Sequence, residues 1–305
     1  MAAATPAIQP PSRKELFQLP RAPIAPTPAG QFSPACVDFW NRVRGLDMSQ
    51  ADLNLPATPS GCDNLPGSLA KWHQAYLKAC LGVAKPGDPP VASGKRSQAC
   101  DAALYDYRAN LTEALTSQTP LKDISDSKVL TDKMVARLLQ DRSDPTKVAE
   151  VAERMLEINP GMPEALQADA VSRLNAAQFA AGKPDDPRWE EADKALEGLS
   201  ALKDSDPRSY YETKLYEEYL RYLDPERVRQ QAEEVDREHP DLGVGPYHEA
   251  WAEFQNGNKQ RAQQLLQEAL HREPGNSRFQ ATLDELRSGE ANPFVPSMGF
   301  SLVPP

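Results

Sequence analysis

Four cysteines, Cys36, Cys62, Cys80 and Cys100, are the residues of this 305-residue chain best suited to chemistry, and all lie in its first third. An even set confined to one segment suits a local disulfide framework. Zinc suits it less well, because its ligands usually pair at short spacing. Here the gaps are 26, 18 and 20 residues, no C-x-x-C pair occurs and His73 is the only nearby histidine. A reduced, buried set of thiols in the cytosol is the alternative. Other reactive types do not assemble. His73, His239, His248 and His271 are scattered, H-E-x-x-H and G-x-S-x-G are missing, and Gly94-Lys95 lacks the earlier glycine of a phosphate loop. Glu217-Glu218 and Glu233-Glu234 fall on amphipathic stretches, where a solvated face is the default reading. No catalytic residue, metal ligand or cofactor is expected, and the chain reads as non-enzymatic.

The elements around the cysteines favour one pairing. Residues 67–82 and 97–117 have helical periodicity and are separated by KPGDPPVASGKR. An antiparallel hairpin brings Cys80, at the end of the first, near Cys100, at the start of the second, leaving Cys36 to pair with Cys62. Such bridges expect an oxidising compartment, periplasmic or extracellular. Residues 1–34 lack the apolar core of a signal peptide, so the expectation is a mature form whose leader has been removed. Asn110-Leu111-Thr112 fits a glycosylation sequon.

Composition narrows the partner. Lys and Arg total 34 against 44 Asp and Glu, a formal charge of -10 with no basic block, which argues against nucleic acid. No apolar stretch is long enough to span a membrane. Residues 1–34 carry eight prolines and read as a disordered Pro-rich arm, with Lys14–Phe17 as a short helical contact. Residues 35–120 read as a Cys-containing helical region, 121–289 as a repeat domain, and 290–305 as a Pro-containing tail. Phe294, Val295, Met298, Phe300, Leu302 and Val303 give that tail apolar groups suited to docking on a groove of its own chain.

The repeat signal comes from Pro160, Pro207, Pro240 and Pro274, each at the close of a helical run and spaced by 47, 33 and 34 residues. Aligning them brings Val148, Ala195, Val228 and Ala262 into register, then Ala152, Leu199, Ala232 and Leu266, then Met155, Leu202, Val235 and Ala269. The last unit adds small Ala250 where two helices approach and Gly257 at the turn between them. In this pattern residues 129–276 resemble the tetratricopeptide repeat (TPR) family. The units fall at 129–162, 163–208, 209–242 and 243–276, followed by a capping helix over 277–289. About thirteen extra residues around AAGKPDDPRWEE read as a loop or helix extension projecting from one edge.

The resemblance implies an all-α fold: a TPR-like helix-turn-helix superhelix preceded by a disulfide-braced helical region. It also implies a scaffold or adaptor that holds a protein or peptide partner on the concave surface. Register puts Lys133, Arg137, Gln167, Val171, Asn175, Tyr210, Thr213, Glu217, Arg221, Tyr247, Trp251, Phe254 and Gln255 on that surface. From these the expected partner contacts are Tyr247, Trp251, Phe254, Tyr210, Glu217, Arg221, Lys133 and Arg137. Tyr247, Trp251 and Phe254 share one helical face, as either an anchoring stripe or core beneath the cap and tail. Lys133 and Arg137 are either a clamp for an acidic group or a solvated face. Rival readings are an envelope module that activates a cell-wall or surface-assembly enzyme, a cytosolic adaptor, and a hydrolase within residues 35–120.

Overall fold

The computed structural model describes residues 18–26, 32–50, 55–56, 58–59, 62, 67–82, 97–140, 144–180, 183–289 and 293–294. The Lys14–Phe17 contact and the tail residues from Val295 onward lie outside them. The described residues contain twelve α-helices and no strand. No described helix is long and apolar enough to cross a membrane. The chain divides at Met162/Pro163 into two compact units, a break that falls inside the stretch read as one repeat domain.

The first unit holds α1 (Pro34–Arg44), α2 (Gly67–Tyr76), α3 (Gln98–Leu115), α4 (Ser127–Gln140) and α5 (Thr146–Ile158). A π-helical turn, Leu77–Leu81, extends α2 to Gly82, which stops it in the left-handed region at φ +65°. Ser97 caps α3 by accepting the Cys100 N–H at 3.1 Å. Two disulfides are present with the expected connectivity. Cys36–Cys62 ties α1 to the following loop and Cys80–Cys100 closes the α2–α3 hairpin, with Cα–Cα distances of 5.4 and 4.7 Å. Between them lies a core of Phe39, Trp40, Val43, Leu69, Leu104 and Leu111. Tyr107 stacks on both His73 and Tyr76, at 5.3 Å in each case.

Part of the Pro-rich arm departs from the expected tether. Residues 18–26 lie against α1: Ile24 and Asn41 exchange two hydrogen bonds, and the Arg21 N–H donates to the Arg44 carbonyl at 3.0 Å. Arg21 is 3% exposed and reaches Asp132 on α4 at 2.9 Å. Asp132 also accepts from Thr112, which in turn accepts from Arg44, with Arg108 alongside. One carboxylate therefore organises three buried guanidiniums. Arg21 sits in a segment whose proline count, rather than its charge, controls the sequence reading. The sequon is also corrected, because Asn110 is 2% exposed and donates to the Asp106 carbonyl, so a folded chain offers no glycan acceptor there.

The second unit holds α6 (Pro163–Ala180), α7 (Glu190–Leu199), α8 (Pro207–Tyr222), α9 (Pro225–Glu238), α10 (Val244–Gln255), α11 (Lys259–Arg272) and α12 (Ser277–Ser288). Asp206-Pro207 and Asp224-Pro225 each give a capping carboxylate and a proline in the first turn, so α8 and α9 start where they do. Pro207 thus opens a helix, whereas Pro160, Pro240 and Pro274 follow helix ends. Consecutive helices pack together except α7 and α8, and α6, α8 and α10 also touch in series. Ala250 and Ala262 are fully buried between α10 and α11, and Gly257, at φ +83°, makes their turn. A Cβ on Gly243 would meet Ala269 O and Phe279 Cε2 at 2.7 Å, so only glycine permits that approach. The extra segment folds back instead of projecting. Trp189 is 3% exposed, donates to the Lys183 carbonyl and lies beneath Arg221.

Candidate functional site

Burial decides which of the expected contact residues can meet a partner. In the first unit, Lys133 is buried, 2.7 Å from Glu113 and 3.0 Å from Thr116 Oγ1. Burial lowers its pKa, with Glu113 opposing that effect. Arg137 pairs with Glu113 and Glu150 and donates to the Lys147 carbonyl. Both cations are engaged by their own unit, so an acidic ligand would have to displace existing carboxylates.

In the second unit the aromatic stripe is interior. Tyr247 is fully buried, stacked on Phe279 of α12 at 4.8 Å and touched edge-on by Phe294 of the tail at 5.7 Å. Trp251 is 4% exposed against Tyr219, and Phe254 packs on Phe294. The structure therefore brings Tyr247 and Phe254 together around Phe294, in the covered arrangement. Glu217 and Arg221 pair with each other at 2.9 Å, and Arg221 grips Asp193 on α7 at 2.8 Å. They fasten the folded-back segment. Gln167, Val171 and Thr213 are buried as well, while Asn175 accepts from the Tyr216 hydroxyl at 2.7 Å.

Tyr210 is different. It is partly exposed and lines an open cleft of about 190 Å³ between α8, α9 and Lys203. The floor is Tyr211, Leu215 and Val235, and Tyr210 meets Tyr211 edge-on at 5.0 Å. Glu218, Glu234 and Glu238 face Lys203 and Lys214 around the rim. Tyr211 donates to Glu238 at 3.2 Å, and Lys214 is ion-paired to Glu217. An apolar aromatic floor with a mixed-charge rim has the build of a contact surface for an anchoring side chain. Among the described residues no group of His, Cys, Asp and Glu could hold a metal ion.

Sequence reasoning missed a second set of groups. Glu212, His248 and Arg278 line a narrow opening with Gln167, Thr213, Tyr216 and Tyr247. Arg278 and Glu212 form a buried ion pair, and Arg208 joins Glu212 at 3.3 Å and Glu273 at 2.9 Å. Burial, and then Arg278, hold the His248 imidazole neutral by lowering its pKa to about 3. Nothing in the sequence marks His248 or Arg278, because their significance comes from four helices converging.

Glu249, near this region on α10, supplies a pH test. Burial, together with Asp236 and Glu233, pushes its carboxyl up to about 7. Its folded pKa lies above the unfolded value, so folding favours the protonated form and stability falls as pH rises from about 4.3 through 7. Glu249→Gln should raise stability by about 1–2 kcal/mol at pH 8, allowing for solvent screening, and change little at pH 4.5. Paired urea melts of the variant and the parent chain at both pH values check this. Differencing also removes the opposite slope of His248, whose lowered pKa costs stability below about 6.5.

Compared with known proteins, the chain matches no protein-family model and no curated protein.

Proposed function

We propose that this protein is a non-catalytic interaction module of an oxidising compartment, periplasmic or extracellular, that binds a segment of a protein partner. The observation that carries this reading is the open, tyrosine-floored cleft at Tyr210, an expected contact position. Tyrosine provides a large amphipathic contact surface with few rotatable bonds, and such residues recur at binding hot spots. The charged rim selects a partner whose anchor is aromatic or long and aliphatic, with polar flanks. Paired helices with small residues at their contacts, a glycine turn and a terminal cap agree with a TPR-like stack, which supports reading the second unit as a repeat scaffold. The two disulfides support the compartment.

Tyr210→Ala tests the proposal, with Gln267→Ala on the exposed face of α11 as control. With melting temperatures matched, Tyr210→Ala should weaken capture of a specific envelope partner by about tenfold or more, and the control should not. Equal capture by both variants would remove the cleft from the account.

A further inference from the structure

We infer that the Tyr210 cleft holds an arginine side chain of the partner. This rests on the cleft being the contact surface proposed above, and it narrows the anchor. Of an aromatic group and a long aliphatic stem, the rim selects a stem that ends in a guanidinium. Charge makes the first selection. The lining carries Glu218, Glu234 and Glu238 against Lys203 and Lys214. Lys214 is already paired with Glu217, and Glu218 with Arg227, in each case a partner beyond the lining. Lys203 interacts with Tyr211, Tyr210 and Glu238. Glu234, exposed on α9, is left with no hydrogen bond or ion pair among the described residues. One carboxylate is therefore in excess above an apolar floor, which favours a cation and disfavours an acidic group.

The same unit shows which cation suits such a place. Three of its guanidiniums lie over an aromatic ring while paired to a carboxylate. Arg221 is over Trp189 at 4.8 Å and pairs with Asp193. Arg227 is over Tyr222 at 3.7 Å and pairs with Glu218, and Arg278 is over Tyr247 at 4.6 Å and pairs with Glu212. The cleft offers the same two elements in Tyr210 and Glu234, yet among the described residues no cation lies over the Tyr210 ring. A guanidinium is flat and weakly hydrated, so it stacks on a ring better than an ammonium does. Its methylene stem can lie on Leu215 and Val235 while the charged head stays near water. The space of about 190 Å³ is several times the roughly 30 Å³ share of one water, room for a single long side chain but not for a helix.

The ring ¹³C resonances of Tyr210 in the full chain give the readout. Pentapeptides Gly-Ser-Xaa-Ser-Gly are the titrants, with arginine, lysine, citrulline, tyrosine or glutamate at the central position. Citrulline keeps the shape of arginine without its charge. The expected result is a saturable shift with the arginine peptide, at an affinity about threefold or more above that for citrulline. The lysine, tyrosine and glutamate peptides should bind more weakly than arginine. Glu234→Gln should weaken the arginine peptide about two- to fivefold, whereas Glu197→Gln, at an exposed carboxylate on α7, should not. The two variants carry the same net charge, which separates Glu234 from the general attraction of an acidic protein. No saturable shift with the arginine peptide, equal or tighter binding of any other peptide, or unchanged affinity in Glu234→Gln would overturn the assignment. Failure of the contact surface itself reads separately, as partner capture from extract that survives Tyr210→Ala.

Discussion

Asp132→Asn should destabilise the first unit by about 3–5 kcal/mol, a large part of the 5–15 kcal/mol that holds a typical domain together. Asp132 is buried and accepts from Arg21 at 2.9 Å and from Thr112 at 2.9 Å, with Arg108 Nε 3.9 Å away. Arg44 completes the cluster through Thr112. Burial by itself would raise the Asp132 pKa, but Arg21, Arg108 and Arg44 together outweigh it and hold the carboxyl below its usual range. Its folded pKa is therefore depressed, so its stabilisation is present above about pH 3.9 and is lost as pH falls through the folded value. Removing the charge leaves three buried guanidiniums facing one another. Burial already draws Arg44 and Arg108 down to about 10, so the cluster has little tolerance for a lost anion. Urea denaturation of the variant at pH 7 measures the effect. A cost under about 1 kcal/mol would mean that water already screens the cluster and that the docked arm adds little.

Reduction of the two disulfides is the second large effect. They close loops of 26 and 20 residues, and chain entropy gives about 3 kcal/mol for each. Their combined loss approaches the whole stability of a small helical unit. Under a non-denaturing reductant, α1, α2 and α3 should lose hydrogen-exchange protection while α10 and α11, which contain no cysteine, keep theirs. Thiol titration of the unfolded, unreduced chain should find no free thiol. Four free thiols would point to a reducing compartment, and full protection after reduction would make the bridges dispensable to the fold.

The sequence signals that proved legible were those governed by short-range rules. Helix periodicity, capping carboxylates before prolines and the turn at Gly257 are local, and hairpin geometry was enough to pair Cys80 with Cys100. The site residues were harder, because a register position says which helical face a side chain occupies but not what covers it. Tyr247, Trp251 and Phe254 share a face as expected, yet Phe279 and Phe294 arrive from later in the chain and cover Tyr247. Lys133 sits on α4 with Glu113 reaching it from α3. Arg21 is held by a carboxylate 111 residues away. Such pairings depend on tertiary approach, to which periodicity is blind. Tyr210 stayed open because the α9 residues at the rim, Gln231, Glu234 and Glu238, are polar and supply no aromatic lid.

The central claim is that a partner protein meets this chain at the Tyr210 cleft, and photo-crosslinking tests it most directly. A photoreactive phenylalanine analogue replaces Tyr210 in one protein and Gln267 in another, each then exposed to envelope extract and irradiated. The account predicts a discrete crosslinked partner from position 210, suppressed by excess unmodified protein, and none from position 267. The same partner from both positions, or from 267 alone, would contradict it.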